Sequence, residues 1–320
     1  MRNLFSLPLV LFCIWTSSVT AQNCCAPAVP QQGVLGEMVA LPQTLEVGLH
    51  YEYLRSYGLY DGADEIDDPT DKKTVWKRTT LAVSYGLFER LSASAVMPYT
   101  WKEKSKNLLD GTPSKNSSEG FGDLTVLFRY SLLPRSFVTF RELTLGLGVK
   151  IPTGSTGERN FGVLLGEELQ PGTGTWDFNA SLAFYQGYET VDFIVSGTYL
   201  LTTTYENTER EYEYKFGNQF SYLLTANFHP YQRFDLTASL TGIIRGKDKI
   251  DGELVCATGR HQLWFSPGVQ FSIIPNYLRL QLFCEIPLYQ RFNGVQLGSD
   301  FNLRLSLAGL IPLTGSDEEM

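Results

Sequence analysis

The sequence predicts an all-β fold: a transmembrane antiparallel up-and-down β-barrel of about 12 strands. Three observations carry the prediction. From residue 44 to residue 312, apolar and polar residues alternate over segments of about 10 to 14 residues. That is the period of a strand and the length of a tilted membrane-spanning one. One face of almost every segment is nearly free of charge, whereas a soluble barrel carries many Lys and Glu on its outward face. The connections alternate between long and short, as outer loops and inner turns of a membrane barrel do.

The composition agrees. Of 320 residues, 19 % are charged, 13 % are aromatic and 29 are Gly. The mean hydropathy is only -0.10. A helical membrane protein is far more hydrophobic, and a soluble enzyme of this size carries more charge and fewer rings. A polar lumen cancelling an apolar exterior gives this balance. The net charge of -8 and the absence of a basic run exclude nucleic acid as a partner. Much of the acid falls in loops (Asp61, Asp64, Glu65, Asp67, Asp68) and in the tail (Asp317, Glu318, Glu319). Solvated loops explain it; bridging to divalent cations or lipopolysaccharide is the sharper alternative.

Taken in order, the chain opens with Met1-Arg2-Asn3 and an apolar run from Leu4 to Trp15. The run is shorter than the roughly 20 residues a spanning helix needs. Val19-Thr20-Ala21 follows with small residues where a signal peptidase reads, so residues 1–21 are read as a signal peptide cleaved after Ala21. Residues 22–43, with Pro27, Pro30 and Pro42, form a periplasmic lead-in or short plug. Within them Cys24-Cys25 is a vicinal pair able to hold a soft metal or cross-link a partner, or else part of an ordinary tether. Of the remaining cysteines, Cys284 reads as a lipid-facing small hydrophobe and Cys256 lies in an external loop.

The barrel spans 44–312. Its strands are expected at 44–56, 75–86, 90–103, 120–132, 137–151, 174–186, 190–203, 213–228, 233–245, 260–273, 277–289 and 299–312. In 90–103, for example, Leu91, Ala93, Ala95, Met97, Tyr99 and Trp101 share one face and Ser92, Ser94 and Thr100 the other. Long connections are expected near 57–74, 104–119, 152–173, 204–212, 246–259 and 290–298, with short turns between the remaining pairs. An even strand count puts both termini on the periplasmic side. Residues 313–320 are then an acidic periplasmic tail. Aromatic residues near strand ends, namely Tyr51, Tyr53, Tyr85, Tyr99, Trp101, Tyr130, Trp176, Tyr199, Tyr214 and Phe301, are expected to form interfacial girdles.

The same parity assigns the lumen. Its charged or titratable residues are Glu46, His50, Glu52, Arg78, Lys102, Asp123, Arg129, Lys150, Asp177, Asp192, Asp235, Arg245, Arg279, Glu285 and Arg304. Barrels of about 8 strands are filled by side chains and those of about 16–18 hold a water channel. Twelve lies between, so a narrow polar pore and a hydrogen-bonded plug both fit. Mixed charge suits a selectivity constriction for a small polar or zwitterionic solute, or a set of ion pairs that satisfy one another.

No enzyme is expected. The three histidines, His50, His229 and His261, fall in the first strand, a short turn and a strand end, none in a nucleophile–base spacing with a serine. Gly-x-Ser-x-Gly, P-loop, dinucleotide and zinc-spaced patterns are absent, and no cofactor is called for.

Three motifs remain: Gly120-Phe121-Gly122-Asp123-Leu124-Thr125-Val126, Lys150-Ile151-Pro152-Thr153-Gly154, and Pro171-Gly172-Thr173-Gly174-Thr175-Trp176-Asp177. In order and spacing they resemble a family of bacterial outer-membrane barrels named for the MetA pathway of phenol degradation, across about residues 44–312. Asp123 and Asp177 sit near the mouth, where each can pair with Lys150 or another base; a loop-anchoring network and a solute-binding rim are both open. The resemblance implies a transporter-like barrel of the cell outer membrane taking up or exporting small, aromatic molecules. The partners expected are a small-molecule solute, outer-membrane lipid, lipopolysaccharide and the barrel-assembly machinery. A closed structural or adhesion barrel with ligand-binding outer loops is the alternative, and an outer-membrane enzyme a more distant one. Two features depart from the family pattern: the Cys24-Cys25 pair, and an acidic C-terminus without a terminal aromatic residue.

Overall fold

A computed structural model describes residues 37–108, 110–134 and 139–313. The signal peptide, Cys24, Cys25 and all of the acidic tail beyond residue 313 lie outside the described residues. Twelve long strands form the wall. They are β1 (Thr44–Asp61), β2 (Lys73–Phe88), β3 (Leu91–Asn107), β4 (Leu124–Leu133), β5 (Arg141–Ile151) and β6 (Asp177–Gly187). The second half comprises β7 (Val191–Leu201), β8 (Gln219–Tyr231), β9 (Phe234–Arg245), β10 (Arg260–Ile274), β11 (Leu278–Phe292) and β12 (Val295–Pro312). Each pairs antiparallel with its chain neighbours, and β1 pairs with both β2 and β12, which closes the sheet. Closure leaves no free edge, the condition for carrying a polar backbone through hydrocarbon.

Side-chain placement is the reverse of a soluble protein. The outward row is apolar: Leu49, Leu81, Leu147, Leu182, Leu224, Leu282 and Leu305 are 45–54 % exposed. Soluble monomers rarely leave a large contiguous apolar surface in water. The inward row is small and polar, and His50, Thr80, Ser84, Ser92, Thr144, Ser266 and Ser306 are almost fully buried. The lipid solvent explains the alternation: the row that would be a core faces the membrane, and hydroxyls line the interior.

All twelve predicted strands are present, with five differences in their surroundings. The sixth long connection, expected at 290–298, is a two-residue turn at Asn293–Gly294, with Gly294 at φ 74. Only Gly294 takes a positive φ there, a conformation that glycine adopts without steric cost. The flanking residues stay extended because β12 continues its ladder with β1 as far as Val295. The β11–β12 ladder itself ends at Glu285↔Asn302. Beyond it the Gln290 carboxamide donates to the Ser299 carbonyl (2.9 Å) and accepts from the Ser299 N–H (2.7 Å).

The second difference concerns the expected start of the fourth strand at 120. Above Pro98, β3 changes partner from β4 to a short strand, Pro113–Phe121, so β4 begins only at Leu124. Third, the strand expected from 213 begins at Gln219, because residues 212–215 join a four-stranded sheet built from the outer loops. Fourth, and for the same reason, Tyr214 is no girdle residue. It is 2 % exposed inside that loop sheet, its hydroxyl donating to Asp248 (2.6 Å). Fifth, His229 lies within β8, not in the following turn.

Candidate functional site

Each lumen candidate falls on an inward position of its strand, or at the outer rim for Asp123, and the fold sorts them into three tiers. At the outer mouth Lys150 on β5 is buried between two aspartates, 2.5 Å from Asp177 Oδ2 and 3.4 Å from Asp123 Oδ2. The family motifs build this knot. Asp123 accepts the N–H groups of Gly154 (3.0 Å) and Thr173 (2.9 Å), and Asp177 accepts that of Thr203 (3.1 Å). Gly154 and Gly172 lie backbone against backbone: a Cβ on Gly172 would sit 2.4 Å from the Gly154 carbonyl oxygen. Only glycine permits that approach. Thr153 holds the loop to the next strand by accepting the Leu124 N–H (2.9 Å). Pro152 ends β5, since it has no N–H to continue the ladder. Pro171 packs on Gly120, Gly174 turns with φ 70, and Trp176 faces outward, 51 % exposed, beside inward Asp177.

The loop between these motifs folds inward. Its single 3-10 turn, Glu167–Leu169, and the following Gln170 pack into the mouth, where Glu168 is half-buried and pairs with Lys104 (3.1 Å). Lys102 donates to the carbonyls of Glu168 (3.2 Å) and Gln170 (2.6 Å) while lying 4.8 Å over the Trp76 ring. Glu167 accepts from Asn207 (2.9 Å) and the Tyr212 hydroxyl (2.8 Å), which ties the loop to the outer sheet. Arg245 pairs with fully buried Asp248 (2.7 Å) on the same rim.

Two ion pairs cross the middle tier. Arg78 Nε donates to Glu52 (2.7 Å), and Arg304 to Glu285 (2.7 Å), which also accepts from Asn302 (3.1 Å). His50 Nδ1 is 2.7 Å from Ser306 Oγ across β1 and β12, a His–Ser contact that sequence spacing did not reveal. Residues 256 positions apart in the chain meet only because the barrel closes there.

At the end of the barrel with the short turns, His229 bridges two carboxylates, with Nδ1 2.8 Å from Asp235 and Nε2 2.8 Å from Asp192. With both carboxylates ionised, each ring nitrogen must donate for both contacts to be hydrogen bonds. Arg279 and Glu46 face the same cavity, and Arg129 donates to Ser94 (3.0 Å) nearby. Residues 37–41 enter here. Val39 N–H donates to the inward Glu142 (3.1 Å), and the Leu41 carbonyl lies against Gly86, where a Cβ would come within 1.9 Å.

These tiers bound three cavities in series, of about 100, 140 and 240 Å³ from mouth to base. The first two share Leu54, Trp76 and Arg78; the second and third share Leu223 and Arg304. Sequence reasoning missed the two inward tryptophans, Trp76 and Trp264. Their parity with Arg78 and Gln262 was the available signal. Among the described residues no group of three or more His, Cys, Asp or Glu is arranged to hold a metal. Cys256 is exposed and Cys284 half-buried on the outward row, both as free thiols.

A closed twelve-stranded wall, an apolar exterior and a charged interior define an outer-membrane β-barrel. Residues 72–295 match the family described as "Putative MetA-pathway of phenol degradation", and the chain belongs to that family. Among solved structures it is similar to an outer membrane channel from Pseudomonas putida F1, with 17 % identity and a TM-score of 0.68. That likeness covers 86 % of this chain and 98 % of the other and extends to the fold. More distant are the translocator domain of the autotransporter NalP from Neisseria meningitidis (9 % identity, TM-score 0.45, 84 % and 89 % coverage) and the toluene transporter TodX of P. putida (8 %, 0.45, 84 % and 91 %). A search of curated proteins finds no match.

Proposed function

We propose that the protein is an outer-membrane channel that passes small polar or aromatic solutes through a narrow, charged lumen. The observation that carries this reading is the row of three neighbouring cavities that share lining residues from mouth to base. Their lining mixes fixed ion pairs with apolar side chains, so a small amphiphile finds a partner at each stage. The fifteen lumen residues of mixed sign are then its selectivity elements, and residues 22–43 a plug at the periplasmic end. Val39 and Leu41, seated against the inward Glu142 and Gly86, support the plug. Lipid surrounds the wall; lipopolysaccharide at the acidic loops and the assembly machinery at the periplasmic end complete the proposed partners. The ordered sheet of outer loops favours a second reading, a closed barrel that binds ligands at its surface. The membrane-enzyme reading rests on His50 and Ser306, both at most 2 % exposed.

Liposome swelling separates these readings. Folded barrel in liposomes admits solutes of the size of a single aromatic ring and excludes disaccharides. Liposomes that never swell with any solute, together with loop deletions that abolish surface binding, would support the closed barrel instead.

A further inference from the structure

The third and largest of the three cavities, about 240 Å³, has one wall tied together by side chains. Asn227 donates to Asp192 (2.6 Å) and accepts from the Thr237 hydroxyl (2.8 Å). His229 joins Asp192 to Asp235. Asp235 also accepts from Gln270, whose own oxygen accepts from Gln281 (2.7 Å). The contacts run from β7 through β8, β9 and β10 to β11 without a gap. Each member is fixed by the next, so both aspartates are held in place before anything binds.

Arg279 stands at the end of that chain, on the inward row of β11 one position nearer the turn than Gln281. Its cross-strand neighbours are Ser272 on β10 and Ala308 on β12, and beyond Ala308 lies Gly48 on β1. None of the three carries a charge. Among the described residues the Arg279 guanidinium makes no hydrogen bond or ion pair, and it is the one lumen candidate of which this holds. The acids of the cavity are placed otherwise: Asp192 and Asp235 share His229, and Glu37 and Glu46 interact with the charge of Arg129.

One uncommitted guanidinium therefore faces the same space as Asp192, Asp235, Glu37 and Glu46. A plain anion would gain Arg279 and be repelled by the carboxylates. A plain cation would gain the carboxylates and be repelled by Arg279. A molecule that carries both charges a few bonds apart gains both. Guanidinium presents a planar fork to carboxylate, and an ionised aspartate has acceptor sites left for an ammonium after the bonds it already holds. Ile194, Leu223 and Phe283 offer an apolar wall to the rest of such a molecule.

We propose that this cavity is a binding site for a small zwitterion of the α-amino-acid kind, its carboxylate on Arg279 and its ammonium on Asp192 and Asp235. This rests on reading the lumen as a solute path and names the class of solute held at its short-turn end.

The test titrates the folded full-length barrel in detergent with alanine at neutral pH, by isothermal titration calorimetry. Propionate lacks the ammonium and ethylamine lacks the carboxylate. Alanine should half-saturate at a concentration about tenfold below either, because each analogue gives up one charge-assisted contact. Arg279→Gln should weaken alanine about tenfold and bring it level with ethylamine. Alanine no tighter than its two analogues, or alanine binding indifferent to Arg279→Gln, overturns the site. Should the variant fail to assemble, the three-solute comparison on the native barrel decides by itself. Conductance is recorded on the same preparation. Current steps without alanine binding overturn this site and leave the channel standing; alanine binding without steps does the reverse.

Discussion

Lys150→Met leaves the length of the side chain and its packing in place but removes the ammonium that separates two buried aspartates. Lys150, Asp123 and Asp177 have side chains only 7 %, 3 % and 1 % exposed, so water cannot replace the lost charge. Asp177 would keep the Thr203 N–H, and Asp123 the Gly154 and Thr173 N–H groups, but two like charges would then face each other. Removing one partner of a buried ion pair costs about 3–5 kcal/mol. At about 1.4 kcal/mol per decade, that raises the opening equilibrium of the mouth loop by about two to four decades. The barrel wall itself contributes little to this change, because the knot anchors the loop. The assay is amide hydrogen exchange in detergent, reading residues 152–176. Protection at Gly154 and Thr173 should fall, whereas protection in β8 and β9 should not. Adding Asp177→Asn to Lys150→Met should restore part of it by removing one of the two stranded charges. Unchanged exchange at Gly154 and Thr173, or no recovery in the double variant, would refute the electrostatic account of the mouth.

Three further outcomes follow from other parts of the molecule. Gly172→Val puts a side chain within 2.4 Å of the Gly154 carbonyl, and this overpacking costs about 1–3 kcal/mol, read as faster proteolysis within 152–176 without loss of heat-modifiable migration. Leu182→Arg, on the outward row at mid-strand of β6, should destabilise folding into bilayers by about 2–4 kcal/mol, whereas a soluble barrel would tolerate an exposed arginine there. Asp68, in the outer loop 62–72, is partly buried, which raises its pKa, yet bonds from the Thr70 hydroxyl and the N–H groups of Lys72 and Thr70 outweigh burial and hold it below the ordinary value of 3.8. A carboxyl depressed in the folded state stabilises above its unfolded pKa and loses that contribution as pH falls through the folded one. The loop should therefore stay protease-resistant at neutral pH and open only below that ordinary value, and Asp68→Asn should open it at neutral pH.

The wall was legible because lipid reverses the hydrophobic rule without changing its period. Leu91 to Trp101 and Phe301 to Ile311 announce both strand and orientation, since each inward hydroxyl alternates with an outward apolar group. The fifteen inward titratable positions follow from parity alone. Their partners do not. His50 meets Ser306 across β1 and β12, which pair only when the sheet closes, and Asp192 meets His229 across β7 and β8, whose register a long loop leaves open. The loops were least legible, for a related reason. Tyr214 reads as a strand-end aromatic until Asp248, in another loop, accepts its hydroxyl and buries it. Gln290 and Gly298 look like loop residues because the run is polar and glycine-bearing. In the barrel they stay extended beside β10 and β1, and only Asn293–Gly294 turns. Trp76 and Trp264 escaped notice because aromatic residues in a membrane barrel are first assigned to its interfaces, while these two face inward among charges.

The most direct test of the central claim is single-channel recording of the folded, full-length barrel in planar bilayers. The account predicts small, discrete conductance steps, since three narrow cavities in series carry the current. Neutralising the middle tier by Glu52→Gln together with Arg78→Gln should change their ion selectivity. A pure, heat-modifiable barrel that inserts and stays silent would contradict the account.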